Sequence, residues 1–321
     1  MRYLVTGAGG FIGSCVTKKL LEAGGEVRCL VRNNVGDLKN CPVEICYGSL
    51  FDKESLKKAL QGVDYVFNFA GQTRALKNRD YFRSNSDGFR ILLETIKEEK
   101  ITLKRVLQIS SLAAVGPSRN GIPLTEDMPL KPVTPYGESK LQSEFVAKEF
   151  SSDIPITIIR PPVVYGQGDR SGLALFKSAA KGVELAIRGG DPHIMPIYVE
   201  DLADGCILLA HHPDTSGETF FLSGDEITTP HELFNILTQA KPNKRTIVVP
   251  RFLAWLVVYG LELKAQIVGK PNRLNSAKLI EIKYDWLVSN AKAKSFGFKP
   301  KTSLKDGFQT TFEWYKKAGW L

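Results

Sequence analysis

A chain of 321 residues, 43% hydrophobic and 24% charged, has the composition of an ordinary globular protein and is long enough for one large core and a smaller second one. Its formal net charge of +9 is spread along the sequence with no basic run interleaved with aromatics, which predicts a solvated basic surface and no nucleic-acid partner. Five scattered cysteines (Cys15, Cys29, Cys41, Cys46, Cys206) without a C-x-x-C spacing predict reduced thiols in a cytoplasmic setting, and four histidines (His193, His211, His212, His231) without ligand spacing predict no metal site.

The first apolar run, Tyr3-Leu4-Val5, reads as a strand buried on both faces, and its start at residue 2 leaves no room for a leader peptide. A glycine turn follows, Gly7-Ala8-Gly9-Gly10-Phe11-Ile12-Gly13, and then a helix from Cys15 to Ala23 with Val16, Leu20 and Ala23 on one side. Strand, glycine turn and helix together are the context of a dinucleotide site, here spaced Thr6-Gly7-x-x-Gly10-x-x-Gly13. Gly7 permits the tight exit from the strand, Gly10 lets a pyrophosphate approach the backbone, and Gly13 lets the helix pack closely. The free N–H groups of the helix start, with the backbone of Gly9, Phe11 and Ile12, face the anion.

Glu26 to Arg32 is the second strand. A carboxylate near its end would take the ribose hydroxyls of NAD; Val31 and Arg32 stand there instead, and an arginine pairs with a 2′-phosphate. NADP(H) is therefore favoured, with NAD(H) the alternative in which Arg32 stacks on adenine or faces solvent. A third strand, Val43 to Tyr47, leads through Gly48 to Ser49 and Leu50, where an adenine would lie, and to a helix from Lys53 to Leu60. The fourth strand, Asp64 to Gly71, ends in Phe69, Ala70 and Gly71, small enough overall to let a cofactor pass the backbone. A long helix over 80–100 contains Asn85, and the strand Lys104 to Ile109 ends at Ser110-Ser111. Pro135 opens a helix running to about Glu149, and Ile154 to Arg160 is a sixth strand stopped by Pro161-Pro162.

This alternation predicts an α/β fold, a doubly wound parallel Rossmann sheet with its ligand beyond the carboxyl ends of the strands. The expected division is a dinucleotide-binding domain over 1–166, to which a strand and helix from about 194–225 return, and a smaller mixed substrate-binding domain from 167–193 and 226–321. Within the latter parts the sequence suggests a helix at 173–182, a strand at 194–199, a helix from Leu202 to His211, a strand from Thr219 to Leu222 and several helices from Pro230 onward. The apolar stretch Phe252 to Tyr259 is too short to span a bilayer, so no integral membrane segment is expected. It reads as a buried helix or a dimer face, with contact to a membrane surface beside Lys264 and Lys270 as the other reading.

Tyr136 and Lys140 are four residues apart on a helix and share a face. A neighbouring ammonium favours the phenolate, which predicts a Tyr136 acidified toward neutrality and usable as an acid/base. Lys140 is also placed to donate to ribose hydroxyls, and Ser111 to steady the charge developing on a reacting oxygen.

With these residues in place, the chain resembles the extended branch of the short-chain dehydrogenase/reductase superfamily, the NAD(P)-dependent epimerase/dehydratase group, over nearly its whole length. The motifs are Thr6-Gly7-x-x-Gly10-x-x-Gly13, Asn68-Phe69-Ala70-Gly71, Asn85-x-x-Gly88, Ser110-Ser111, Tyr136-x-x-x-Lys140, Arg160-Pro161-Pro162-x-Val164-Tyr165-Gly166 and Tyr198-Val199-Glu200-Asp201-Leu202-Ala203. The resemblance implies a catalytic triad of Ser111, Tyr136 and Lys140. It puts Asn85, Ile109 and Ser110 at the cofactor and Pro161 and Val163 against the nicotinamide carboxamide. It also implies a homodimer built from two helices of each subunit. The loop after Gly71 (Gln72, Thr73, Arg74), residues 112–122 with Leu112 and Ala113, and the part after Gly166 would line the substrate.

Departures from the group narrow the chemistry. Its sugar dehydratases carry an Asp-Glu pair after the catalytic Ser or Thr, where this chain has Leu112 and Ala113, which transfer no protons. Its nucleotide-sugar epimerases usually place an Arg before the Val-x-Asp-Leu segment, where this chain has Ile194 and Met195, leaving Arg170, Arg188 or Arg273 as alternative diphosphate cations. The expected activity is hydride transfer between a nicotinamide and a ketone or secondary alcohol, with Tyr136 as acid/base. A nucleoside-diphosphate-sugar epimerase with retained NAD is the alternative, and a non-catalytic NADP(H)-sensing regulator a third reading.

Overall fold

The structure, a computed structural model, describes residues 1–33, 35–239, 241–272 and 274–321, Asp37 by its backbone alone. Its first half comprises β1 (Arg2–Thr6), α1 (Phe11–Glu22), β2 (Glu26–Val31), β3 (Glu44–Tyr47), α2 (Lys53–Leu60) and β4 (Tyr65–Asn68). α3 (Asn78–Phe82) passes through a π-helical turn at Arg83–Asp87 into α4 (Gly88–Glu98), followed by β5 (Arg105–Ile109), α5 (Pro135–Phe150) and β6 (Ile156–Arg160). Beyond these come β7 (Val164–Tyr165), α6 (Leu173–Lys181), β8 (Val183–Ile187), β9 (Ile197–Tyr198), α7 (Val199–His211) and β10 (Thr219–Phe221). The chain finishes with α8 (Pro230–Leu237), β11 (Arg245–Val249), α9 (Arg251–Val268), α10 (Ser276–Glu281), α11 (Ala291–Ser295) and α12 (Leu304–Lys317).

Seven parallel strands form one sheet in the order β10-β6-β5-β4-β1-β2-β3. The chain runs outward from β1 to β3, then crosses back and runs outward again from β4 to β10. The reversal leaves a crevice between the carboxyl ends of β1 and β4, where a ligand of such a sheet binds. Both faces are covered, which explains the continuous apolar runs of the strands. Tyr3 and Val5 of β1 face a layer containing Val16 and Leu20 of α1 and Leu202 and Leu209 of α7. Leu4 faces the opposite layer, with Leu56, Leu92 and Val146 from α2, α4 and α5. A third core outside the sheet is aromatic: Tyr165, Phe176 and Phe308 stack, with the Tyr165 and Phe176 ring centroids 4.0 Å and 5.7 Å from that of Phe308.

Three expectations change in three dimensions. The strand expected over 194–199 shrinks to β9, paired with β7 outside the main sheet, because Pro196 has no N–H to donate and the α7 helix starts at Val199. The single helix over 80–100 is interrupted by its π-turn. A two-stranded parallel sheet of β8 and β11 appears where no strand was expected. A fourth change concerns α9. Its buried reading is overturned: only Ala254, Val258 and Ala265 are buried, and its large side chains face outward. No helix among the described residues is long and apolar enough to cross a membrane.

Candidate active site

A cleft of about 530 Å³ opens at the reversal point, lined by Thr6 at the end of β1 with Gly7, Gly9 and Gly10 of the turn that follows, Leu30 to Asn33 at the end of β2, Gly48 to Phe51 after β3 and Phe69 to Gln72 after β4. Gly7 has φ +67°, and a Cβ there would sit 2.7 Å from the backbone N of Ala70; one at Gly13 would run into the Gly7 carbonyl. Strand exit and helix packing thus require glycine at these two positions. The first turn of α1 has no side-chain cap at Gly10 and no acidic residue, so its N–H groups, with those of Phe11 and Ile12, are left for an anion. Arg32 is exposed at the lip of the cleft, opposite Ser49 and the buried Leu50. Gln72 adds a signal: its side-chain Oε1 is buried with no hydrogen-bond partner among the described residues. An anion-seeking helix end, a backbone cradle that a Cβ would fill and an orphaned acceptor fit a bound dinucleotide.

A polar ladder ties the strand ends under this cleft. Thr6 Oγ1 donates to Asn68 Oδ1, Asn68 Nδ2 donates to Gln108 Oε1 at 2.6 Å, and the Ala70 N–H donates to Thr6 Oγ1 at 3.3 Å. Sequence reading missed this ladder; a polar residue at one place in each of three apolar strands was the available signal.

The expected acid/base residues Tyr136 and Lys140 lie on α5. Thr134 caps the helix, accepting from the Gly137 N–H at 3.2 Å, and Pro135 occupies its first turn. Tyr136 is half-buried, its ring edge-on to that of Tyr81 at 6.0 Å, and the Ser111 hydroxyl is its hydrogen-bond partner. Ser111 Oγ also accepts from the Ala113 N–H at 3.1 Å, which fixes the turn after β5. Lys140 is 4% exposed, and its Nζ donates to the Ile109 carbonyl at 2.9 Å.

The electrostatics correct the sequence expectation. Burial pushes the Tyr136 phenol up to about 12, with the Glu281 and Tyr81 charges adding to it and Ser111 opposing. Burial also lowers Lys140 to about 8, with Glu144 opposing. Desolvation is the largest cause for both groups, and Lys140 spends its hydrogen bond on the Ile109 carbonyl. The phenol is therefore neutral at physiological pH, a proton donor and not a ready base.

Other expected residues are used differently from the reading by motif. Asn85, in the π-turn, accepts from the Gln72 N–H at 2.7 Å and donates to the Gln72 carbonyl at 3.0 Å and to Ser139 Oγ at 2.9 Å. It ties the loop after β4 to α5 through Ser139. Ser110 turns from the cleft and donates to Glu144, which holds Arg160 through two hydrogen bonds of 2.9 and 2.6 Å. Pro161 is buried and Val163 is 52% exposed. Of the expected substrate residues, Thr73 is exposed, Arg74 Nη2 donates to Ser171 Oγ at 3.4 Å and Ala113 is half-buried. Leu112 is packed away in a small core with Val115, Met195, Phe221 and Leu287. Among the alternative cations, Arg170 lies over the Trp320 ring at 5.0 Å and Arg188 is exposed, while Arg273 lies outside the described residues.

Against this geometry, the family model described as NAD dependent epimerase/dehydratase family matches residues 3–222. A ceramide reductase from Caulobacter vibrioides is 27% identical over 99% of this chain and 95% of its own. The decarboxylating sterol-4-alpha-carboxylate 3-dehydrogenase of Mus musculus is 26% identical over 96% and 89%. Among solved structures, UDP-glucuronic acid 4-epimerase from Bacillus cereus in complex with NAD superposes with a TM-score of 0.80 at 21% identity, covering 99% of this chain and 97% of the other.

Proposed function

The chain belongs to the NAD dependent epimerase/dehydratase family, and from that premise we propose that it is an NADP(H)-linked oxidoreductase, reducing an apolar ketone to a secondary alcohol. The observation that carries this reading is the neutral, half-buried phenol of Tyr136 bonded to Ser111, which is followed in the chain by Leu112 and Ala113, neither able to exchange a proton.

The turn from Gly7 to Gly13 and the start of α1 would hold the dinucleotide's phosphates, Arg32 its 2′-phosphate, Ser49 and Leu50 its adenine, and Lys140 and the strand ends at Phe69 to Gly71 its nicotinamide half. When bound, that group supplies the hydride. Ser111 donates a hydrogen bond to the substrate carbonyl oxygen and steadies the charge that grows there. Tyr136 gives that oxygen its proton, which a phenol near 12 does readily toward an alkoxide. Lys140 lends positive potential while it keeps its proton. Two relatives support the substrate class, one named for reducing ceramide and the other for oxidising a sterol carboxylate. The buried, apolar Ile194 and Met195 weigh against a diphosphate grip at that place and so against the nucleotide-sugar epimerase.

The test is Tyr136→Phe with NADPH and a panel of apolar ketones. Turnover falls by about 10²–10⁴-fold while NADPH affinity is kept. Unchanged turnover removes Tyr136 from the chemistry. NAD that co-purifies, with isomerisation of a nucleotide sugar without added cofactor, replaces this reading by the epimerase.

A further inference from the structure

Helix α9 is built the wrong way round for a protein surface in water. It packs on α10 through its small positions Ala254 and Val258, which meet Leu279 and Ile282, and it turns its large apolar side chains outward. Phe252 is 65% exposed, Leu256 64%, Tyr259 70% and Ile267 80%, and the exposed apolar positions recur at three- and four-residue steps along the helix. Scattered exposed leucines are normal; a contiguous stripe of this size marks a docking surface.

From this stripe and its charges we propose that α9 lies flat in the headgroup region of an anionic phospholipid bilayer. Its cations are Arg251 at the start and Lys264 near the end, with Lys270 just beyond, and Lys283 rides over the Trp255 ring at 5.8 Å. The acid on this helix, Glu262, is turned to the Ser276 N–H at 2.8 Å and does not join the face. An apolar face with aromatic members and a cationic rim, on a helix too short and too charged to cross, is what an interfacial helix presents to anionic lipid. A second copy of the chain fits less well, because a two-fold pairing would set these cations against their own kind with no acid between them. The bilayer face also lies close to the chemistry. α10, beneath α9, carries Glu281, whose charge reaches both Tyr81 and Tyr136. Docking stands independently of the substrate proposed above.

The experiment is sedimentation of the purified full chain with extruded vesicles, either phosphatidylcholine alone or phosphatidylcholine with about one-third phosphatidylglycerol. The protein should pellet with the anionic vesicles and be released by high salt. A Leu256→Glu/Tyr259→Glu double variant should lower the bound fraction by about tenfold or more. That variant should keep wild-type melting behaviour and NADPH affinity, since both side chains point into solvent. Wild-type protein that stays in the supernatant with both vesicle types overturns the proposal, as does a variant that pellets like wild type. A wild-type dimer that the variant makes monomeric, with no vesicle binding in either, would overturn it in favour of a second copy on the same face.

Discussion

Replacing Gly137 by alanine tests whether contact between the catalytic helix and the turn after β5 sets the chemistry. Gly137 follows Tyr136 directly. A Cβ there would lie 3.0 Å from the Ala113 carbonyl carbon, nearer still to its oxygen, and 3.1 Å from the Pro132 Cβ. Backbone and proline-ring atoms leave no flexible side chain to swing away, so α5 and the Ser111–Ala114 turn must separate by on the order of 1 Å. Overpacking of this kind costs about 1–3 kcal/mol, offset by up to ~1 kcal/mol from removing a helical glycine. At about 2–4 °C per kcal/mol for a large domain, the melting temperature drops by only a few degrees and the protein folds. Activity suffers more, because Ser111 and Tyr136 sit on the two parts forced apart. A displacement of about 1 Å at the reacting groups costs about 10²-fold in kcat/KM. Steady-state reduction, calorimetry and NADPH titration on one preparation make the assay, with NADPH affinity held within about twofold because the glycine turn is untouched. A folded Gly137→Ala enzyme with kcat/KM within about threefold of wild type would refute the reasoning.

Gly260 is the opposite case: it sits mid-helix in α9 with nothing within 4 Å of the place an added Cβ would take, so Gly260→Ala should stabilise by about 0.5–1 kcal/mol in calorimetry, and a loss of stability would contradict that open space. The pH dependence of kcat/KM for reduction, which reports the free enzyme, should be level near neutrality and fall above about 8 as Lys140 loses its proton; a profile flat to about pH 9.5 would show that its charge is not needed. For folding the sign is reversed: with its folded value depressed to about 8 from 10.5, charged Lys140 costs stability at low pH, and that cost is relieved as pH rises between the two values. Arg32→Glu should raise the NADPH KM by about tenfold or more while NADH improves or holds, and an unchanged NADPH to NADH ratio would mean that Arg32 serves no 2′-phosphate.

Much of the fold is legible in the sequence because its signals are local. Strands buried on both faces betray themselves as apolar runs, and a glycine turn between strand and helix is hard to mistake; both fall within a few residues of where the sequence puts them. Tyr136, Lys140 and Ser111 stand out by spacing, since four residues on a helix is one turn wherever the helix lies. What the sequence hides depends on depth and on neighbours far along the chain. Four-residue spacing says that Tyr136 and Lys140 share a face, but not that Ile109, 31 residues before Lys140, takes the lysine's hydrogen bond. Ser110 and Ser111 look equivalent in sequence, yet strand alternation sends one to Glu144 and leaves the other with the phenol. The apolar run of α9 reads the same whether its large residues point inward or outward.

The two shifted groups on α5 obey one cause. Burial moves a phenol up and an ammonium down, so both drift toward their neutral forms and the pocket carries less charge than its residue list suggests. The carboxylate whose charge reaches the phenol, Glu281, stands on α10, and the two positions after Ser111 are Leu112 and Ala113. Glu144, the acid that acts on Lys140, is already committed to Arg160 by a two-point pair at 5–6% side-chain exposure. The neighbouring cleft is also without acid in the first turn of α1, and its lip carries Arg32. A site arranged this way gains its negative charge with a phosphate-bearing ligand. On the function proposed here, N–H groups and Arg32 would meet the phosphates at one end and the neutral Tyr136 would serve as donor at the other. Proton donation to a nascent alkoxide needs no prior ionisation of Tyr136, whereas proton removal from an alcohol does. On that proposed function, reduction is the direction in which the resting protonation states would be the working ones.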